Sequence, residues 1–216
     1  LDATTSLNQY LSGTDESRLE DVINALDDPY DFYPTYISLL DGIGHTCGPS
    51  SSKILDSLKY VDKQIESFHS AVLESGHDHV IVLCGDHGMS EVHSSANIKK
   101  IFDYLKINKL INKKTTMFLD STMARFWFEE GDSESQKALE YAINNDLNDL
   151  GYFVKKEDYK SYDIPKLKMY GDLIWLCNEG VVLSPDYFSP SNKNILGMHG
   201  YIPYSHQHYG FCMVLD

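Results

Sequence analysis

The ten residues VIVLCGDHGM, Val80 to Met89, set a run of β-branched and aliphatic side chains directly against a glycine-flanked Asp86 and His87. Such a run predicts a strand buried on both faces and broken at Gly85, which places the polar pair at the strand's carboxyl end. In an open α/β sheet that edge is where ligands bind. An Asp beside a His, followed by a glycine that lets the backbone bend, brings two metal-ligand types to one place. An N-cap aspartate followed by a surface histidine explains an isolated D-H-G equally well, so the reading turns on what surrounds it.

Working upstream, Asp31 to Leu40 (DFYPTYISLL) predicts another strand, ending in Asp41, Gly42, Ile43, Gly44 and His45. Between the two, Ile54, Leu58, Val61, Ile65, Phe68 and Val72 step by four and three, one stripe of a long helix. Strand, loop, helix, strand is a βαβ unit, which puts both polar sites on one edge of a parallel sheet. Glu16 to Leu26 adds an amphipathic helix before it.

Downstream, helices are expected at Ala96 to Asn108 and Ser133 to Leu150, and strands at Arg125 to Glu129 and Gly151 to Lys155. This patch reads as an α+β subdomain inserted over the sheet edge, residues 94–169, with residues 1–93 and 170–216 forming the metal-binding core. The main sheet is expected to resume with Asp172 to Cys177 and Val181 to Leu183. His199 then lies between Gly197 and Gly200, and Phe211 to Leu215 is a closing strand.

The chain has 216 residues, enough for one domain carrying a smaller insertion. A formal net charge of -14 opposes a nucleic-acid backbone or an anionic membrane as a general partner. No stretch is long and apolar enough to span a bilayer, and LDATTSLNQY lacks the features of a signal peptide. Cys84, Cys177 and Cys212 fall in strand-like runs and Cys47 in a glycine-rich loop, without C-x-x-C spacing. Buried free thiols in a reducing compartment, together with the absence of an Asn-x-Ser/Thr sequon, point to a cytoplasmic location.

Three segments thus present Asp41, His45, Asp86, His87 and His199. A mixed imidazole and carboxylate set suits Zn²⁺, Mn²⁺ or Fe better than Ca²⁺ or Mg²⁺. DGIGHTCGP at Asp41 to Pro49, VIVLCGDHGM at Val80 to Met89 and GMHGYIP at Gly197 to Pro203 resemble the three downstream metal motifs of the alkaline phosphatase superfamily. In order and spacing they are most similar to its type I phosphodiesterase/nucleotide pyrophosphatase branch.

The resemblance implies an α/β fold, a mostly parallel sheet sandwiched by helices, with two divalent metal ions, Zn or alternatively Mn, at its carboxyl edge. It also implies that Asp41, His45 and His199 hold one ion while Asp86 and His87 hold the other. The implied activity is metal-dependent hydrolysis of phosphate esters, phosphodiesters or nucleotide pyrophosphates, with a small phosphorylated substrate. The family's further metal-binding Asp and its Thr or Ser nucleophile have no counterpart before Asp41, since Thr4, Thr5, Ser6, Ser12 and Thr14 lack the strand-then-helix setting. The chain therefore reads as a fragment without its nucleophile, inactive by itself. A phosphomutase, a sulfatase-like hydrolase or a non-catalytic metal-binding relative is the alternative.

Other polar residues carry less. His77 and His79 precede the strand and read as surface residues, and Arg125, beside Phe126 and Trp127, reads as structural. His206 and His208 either approach the site or mark a loop turning back into the last strand.

Overall fold

The computed structural model describes residues 13–189, 194–202 and 204–215; the hydroxyls of Thr4, Thr5, Ser6 and Ser12 lie outside them. In chain order the elements are α1 (Asp15–Asn24), α2 (Leu39–Cys47), α3 (Ser52–Glu74), β1 (Ile81–Gly85), β2 (Ser90–Glu91), β3 (Ser94–Ala96) and α4 (Ile98–Ile107). They continue with β4 (Thr116–Asp120), β5 (Met123–Trp127), α5 (Ser133–Leu147), β6 (Gly151–Phe153), β7 (Leu173–Cys177), β8 (Val181–Leu183), β9 (Gly197–Met198) and β10 (Phe211–Leu215). The chain divides into two compact units, Leu1–Asp86 with Gly210–Asp216, and His87–Tyr209. No described helix is long and apolar enough to cross a membrane.

In the first unit, α1 starts at Thr14, whose hydroxyl accepts the Ser17 N–H at 3.2 Å. Helix α3 follows the expected stripe and buries Val61 and Val72. The strand expected over Asp31 to Leu40 does not form: residues 32–38 have no ladder, and α2 begins at Leu39. Two local facts oppose a strand there. Pro34 has no N–H to give a ladder, and the Tyr36 carbonyl is taken by Arg18 Nε at 2.8 Å.

What favours the helix instead is Asp15. Its carboxylate accepts the Ser38 N–H and the Leu39 N–H, each at 3.0 Å, and so satisfies donors that the start of α2 leaves unpaired. Arg18 lies buried against the same carboxylate and also donates to the Gly13 carbonyl at 2.6 Å.

Strand β1 pairs antiparallel with β10, from Ile81 opposite Leu215 to Gly85 opposite Phe211. Its residues alternate between half-buried and exposed rather than being buried on both faces. Correspondingly, Cys84 and Cys212 are exposed; of the thiols expected in the interior Cys177 alone is buried, and Cys47 closes α2 instead of lying in a loop.

The second unit holds the larger core. Strands β4, β5, β7 and β6 form an antiparallel sheet in that order. Ala124, Phe126 and Trp175 of this sheet are fully buried in one cluster with Ile98, Phe102 and Leu105 of α4 and Leu139 and Ile143 of α5. The stretch expected to resume the main sheet joins this unit instead. Strand β7 pairs with β5, Ile174 opposite Arg125, and with β6, Trp175 opposite Phe153. Strand β8 pairs with β3, the one parallel pair among the described residues. β-branched and aromatic residues favour strands whatever the partner, so composition predicts these strands but not their neighbours.

Burial alone would raise the Asp15 carboxyl, but the Ser38 and Leu39 N–H groups, the Ser38 hydroxyl and Arg18 hold it below its ordinary value of 3.8. A carboxyl depressed in the folded state stabilises the fold above its unfolded pKa, and that contribution is lost as pH falls through the folded value. Acid titration followed by circular dichroism is therefore expected to show the first unit losing stability below about pH 4. Asp15→Ala, which strands the buried Arg18 charge and uncaps α2, is expected to cost about 3 kcal/mol at neutral pH in urea unfolding, and to remove that acid dependence.

Candidate metal centre

Helix α2 places Asp41 and His45 one turn apart on the same face, with Asp41 Oδ1 3.3 Å from His45 Nε2. Residues four apart on a helix are surface neighbours, so this spacing brings a carboxylate and an imidazole to one point without help from any loop. Asp86 directly follows β1. The Tyr36 phenol reports on both carboxylates: burial first, then the charges of Asp41, Asp86 and Asp15, push it above its ordinary value. Negative charge from α2 and from the end of β1 thus acts on one group within this unit.

In the second unit His87 Nδ1 lies 2.9 Å from the Gly88 carbonyl. A carbonyl only accepts, so Nδ1 is the donor, which in a neutral ring leaves Nε2 as the acceptor nitrogen. A backbone partner for the distal N–H is the usual arrangement behind a metal-ligating imidazole. The His199 ring stacks on that of His87, with centroids 3.7 Å apart and planes 16° from parallel. Each unit thus carries donors whose chemistry suits a divalent transition metal: Asp41, His45 and Asp86 offer carboxylate oxygens and an imidazole in the first, and His87 and His199 offer imidazoles in the second.

The segment after His87 is supported by residues that the sequence alone does not single out as a group. The Gly88 N–H donates to the His208 carbonyl at 3.2 Å. The buried His208 ring has Nε2 3.4 Å from Ser90 Oγ, and Ser90 donates to Glu179 at 2.7 Å. His208 therefore serves the loop structurally, while His206 is exposed and sits edge-on to Tyr209. The S-H-Q-H run carries the signal for this, but its partners Ser90 and Glu179 are distant in sequence.

His77 is exposed as expected, 3.1 Å from Asp27, whereas His79 is half-buried with its ring edge-on to that of His69. The Arg125 guanidinium stands over the Phe118 and Trp127 rings at 5.0 and 6.0 Å, the structural role read from its neighbours.

The fold is that of alkaline-phosphatase-like α/β proteins. The profile of the type I phosphodiesterase/nucleotide pyrophosphatase family matches residues 3–202, and the chain belongs to that family. Murine ectonucleotide pyrophosphatase/phosphodiesterase 5 superposes with a TM-score of 0.71 at 16% identity, over 94% of this chain and 52% of that one. The human protein of the same name gives 0.71 at 18% identity over the same shares. Phosphonoacetate hydrolase from Sinorhizobium meliloti 1021 gives 0.59 at 15% identity, over 93% of this chain and 49% of that one. The chain thus spans about half the length of these structures, and no curated protein sequence matches it.

A Cβ at Gly88 would lie 1.9 Å from the Gln207 carbonyl oxygen, a backbone atom that cannot swing away, whereas a Cβ at Gly42 meets nothing within 4 Å. Gly88→Ala is accordingly expected to displace His87 and to reduce Zn²⁺ retention in equilibrium dialysis by roughly tenfold or more, the usual cost of disturbing the support of a ligand. Gly42→Ala, beside Asp41 in α2, is expected to leave retention unchanged and to raise stability by about 0.5–1 kcal/mol.

Proposed function

We propose that this chain carries the metal-ligating part of a hydrolase of phosphodiesters or nucleotide pyrophosphates. On this reading Asp41, His45 and His199 hold one divalent ion, while Asp86 and His87 contribute to a second. Membership of the family supports the reaction class, and an inactive form of the murine relative was solved in complex with AMP, which supports a nucleotide-like substrate. The single observation that carries the residue assignment is the paired geometry within each segment: Asp41 with His45 at 3.3 Å, and His87 with its Nδ1 committed to a backbone carbonyl.

When bound, the ions supply Lewis acidity that neutralises charge building on a phosphoryl centre. The protein's own contribution is to hold the donors in place. Helix α2 fixes the separation of Asp41 and His45, and the Gly88 carbonyl fixes the tautomer of His87. The attacking hydroxyl is assigned to a Thr or Ser that none of these motifs supplies. A non-catalytic metal-binding relative would share the ligands and lack turnover.

Metal analysis after dialysis against Zn²⁺ or Mn²⁺ tests the assignment. The parent is expected to retain metal and His199→Ala to lose it; equal stoichiometry in the two would overturn the ligand set. Retention is also expected to fall on acidification, because a protonated imidazole cannot coordinate. For activity, a longer polypeptide that supplies the hydroxyl is expected to hydrolyse a p-nitrophenyl phosphodiester several orders of magnitude faster than this chain, and to lose most of that gain in Asp86→Ala. Two bound metals without turnover would favour the non-catalytic relative.

A further inference from the structure

Cys84 and Cys212 are directly opposed residues on the antiparallel strands β1 and β10. Their sulfurs lie 3.6 Å apart, and both are exposed free thiols within one unit. Neither takes part in the metal assignment, so the chemistry of this pair is independent of it. Opposed residues on antiparallel strands have Cα atoms about 4.5–5.5 Å apart, inside the range of about 4.4–6.8 Å that a disulfide spans. Side-chain rotation alone can therefore close the pair, with no change of register.

We propose that Cys84 and Cys212 form a redox-active dithiol that closes to an intramolecular disulfide when it meets a small disulfide oxidant of the glutathione type. The two sulfurs are in hydrogen-bond contact across the strand pair. The thiolate of either cysteine attacks one sulfur of the oxidant, the oxidant's S–S bond breaks, and one small thiol leaves. The other cysteine then gives up its proton and displaces the second small thiol from the mixed disulfide. Two electrons and two protons pass to the oxidant, which departs as two thiols.

The consequence is topological. The two cysteines are 128 positions apart, and the unit His87–Tyr209 is the chain between them, so the bridge ties the strand that enters this unit to the strand that leaves it. Closing so long a loop restricts the unfolded chain, and the thermal midpoint should rise by an amount on the order of 10 °C. The remaining thiols are differently placed. Cys177 is buried in the four-stranded sheet, where burial pushes its thiol up strongly, and Cys47 ends α2 beside the Thr46 hydroxyl.

The test uses the full 216-residue chain, reduced, freed of reductant and exposed to oxidised glutathione. The expected result is loss of about 2 Da in intact mass, protection of two thiols from alkylation, and a cross-linked peptide joining Cys84 to Cys212. The thermal midpoint should rise and return on reduction. Cys84→Ser should trap a stable glutathione adduct on Cys212 that the parent does not accumulate. Four alkylatable thiols after oxidation, a cross-link to Cys47 or Cys177, or separate adducts on Cys84 and Cys212 without a cross-link would each overturn the proposal.

Discussion

A Cβ at either glycine that brackets Asp86 and His87 would force a neighbour to move, a side chain at Gly85 and the backbone at Gly88. At Gly85 it would meet the Phe211 ring at 2.7 Å, and at Gly88 the Gln207 carbonyl oxygen at 1.9 Å. Consecutive residues of an extended chain point to opposite faces, so two adjacent side chains become useful together only where the backbone leaves the strand. Here the departure is held on both sides: Gly85 still belongs to the β1 ladder, opposite Phe211, and the Gly88 N–H is bound to the His208 carbonyl.

Asp41 and His45 reach the same end by a different route. The repeat of α2 sets their spacing, and the start of α2 is fixed by a carboxylate from another helix. A buried Asp and Arg are costly unless their remaining hydrogen-bonding capacity is used. At this junction it is used: Asp15 binds Ser38 and Leu39 as well as Arg18, and Arg18 binds two backbone carbonyls. The pair is thus a device for placing a helix. That helix carries two residues of the candidate site although neither Asp15 nor Arg18 belongs to it.

The parts legible in the sequence are those with a local cause. The stripe through Val61 and Val72, the turn at Gly85 and the three glycine-flanked histidine motifs all follow from neighbours within a few positions. The segment before Asp41 reads wrongly as a strand because its apolar composition suits one, while the partner that makes it a helix start is Asp15, more than twenty positions earlier. Strand β7 is legible as a strand but not in its sheet, since its register with Met123–Phe126 is a tertiary choice that no local pattern encodes. Similarly, S-H-Q-H announces histidines near the site, yet the structural role of His208 rests on Ser90 and Glu179.

Charge gives a reason why the proposed ions and the proposed substrate belong together. The chain has a formal net charge of -14, and Asp41, Asp86 and Asp15 all press on the Tyr36 phenol. An anionic phosphate brought toward such a group of carboxylates is repelled unless positive charge is supplied locally. The chain has two arginines, and both are engaged elsewhere, Arg18 buried against Asp15 and Arg125 stacked over Phe118 and Trp127. Guanidinium clamps of the kind that usually steady a phosphoryl group are therefore not what these residues offer. Divalent cations held by Asp41 and Asp86 would reverse the sign of the local field, turning the feature that repels a phosphate into the one that binds it. On the proposed reading, the metal reconciles the acidic character of the region with an anionic substrate, which makes the ligand set the first element to test.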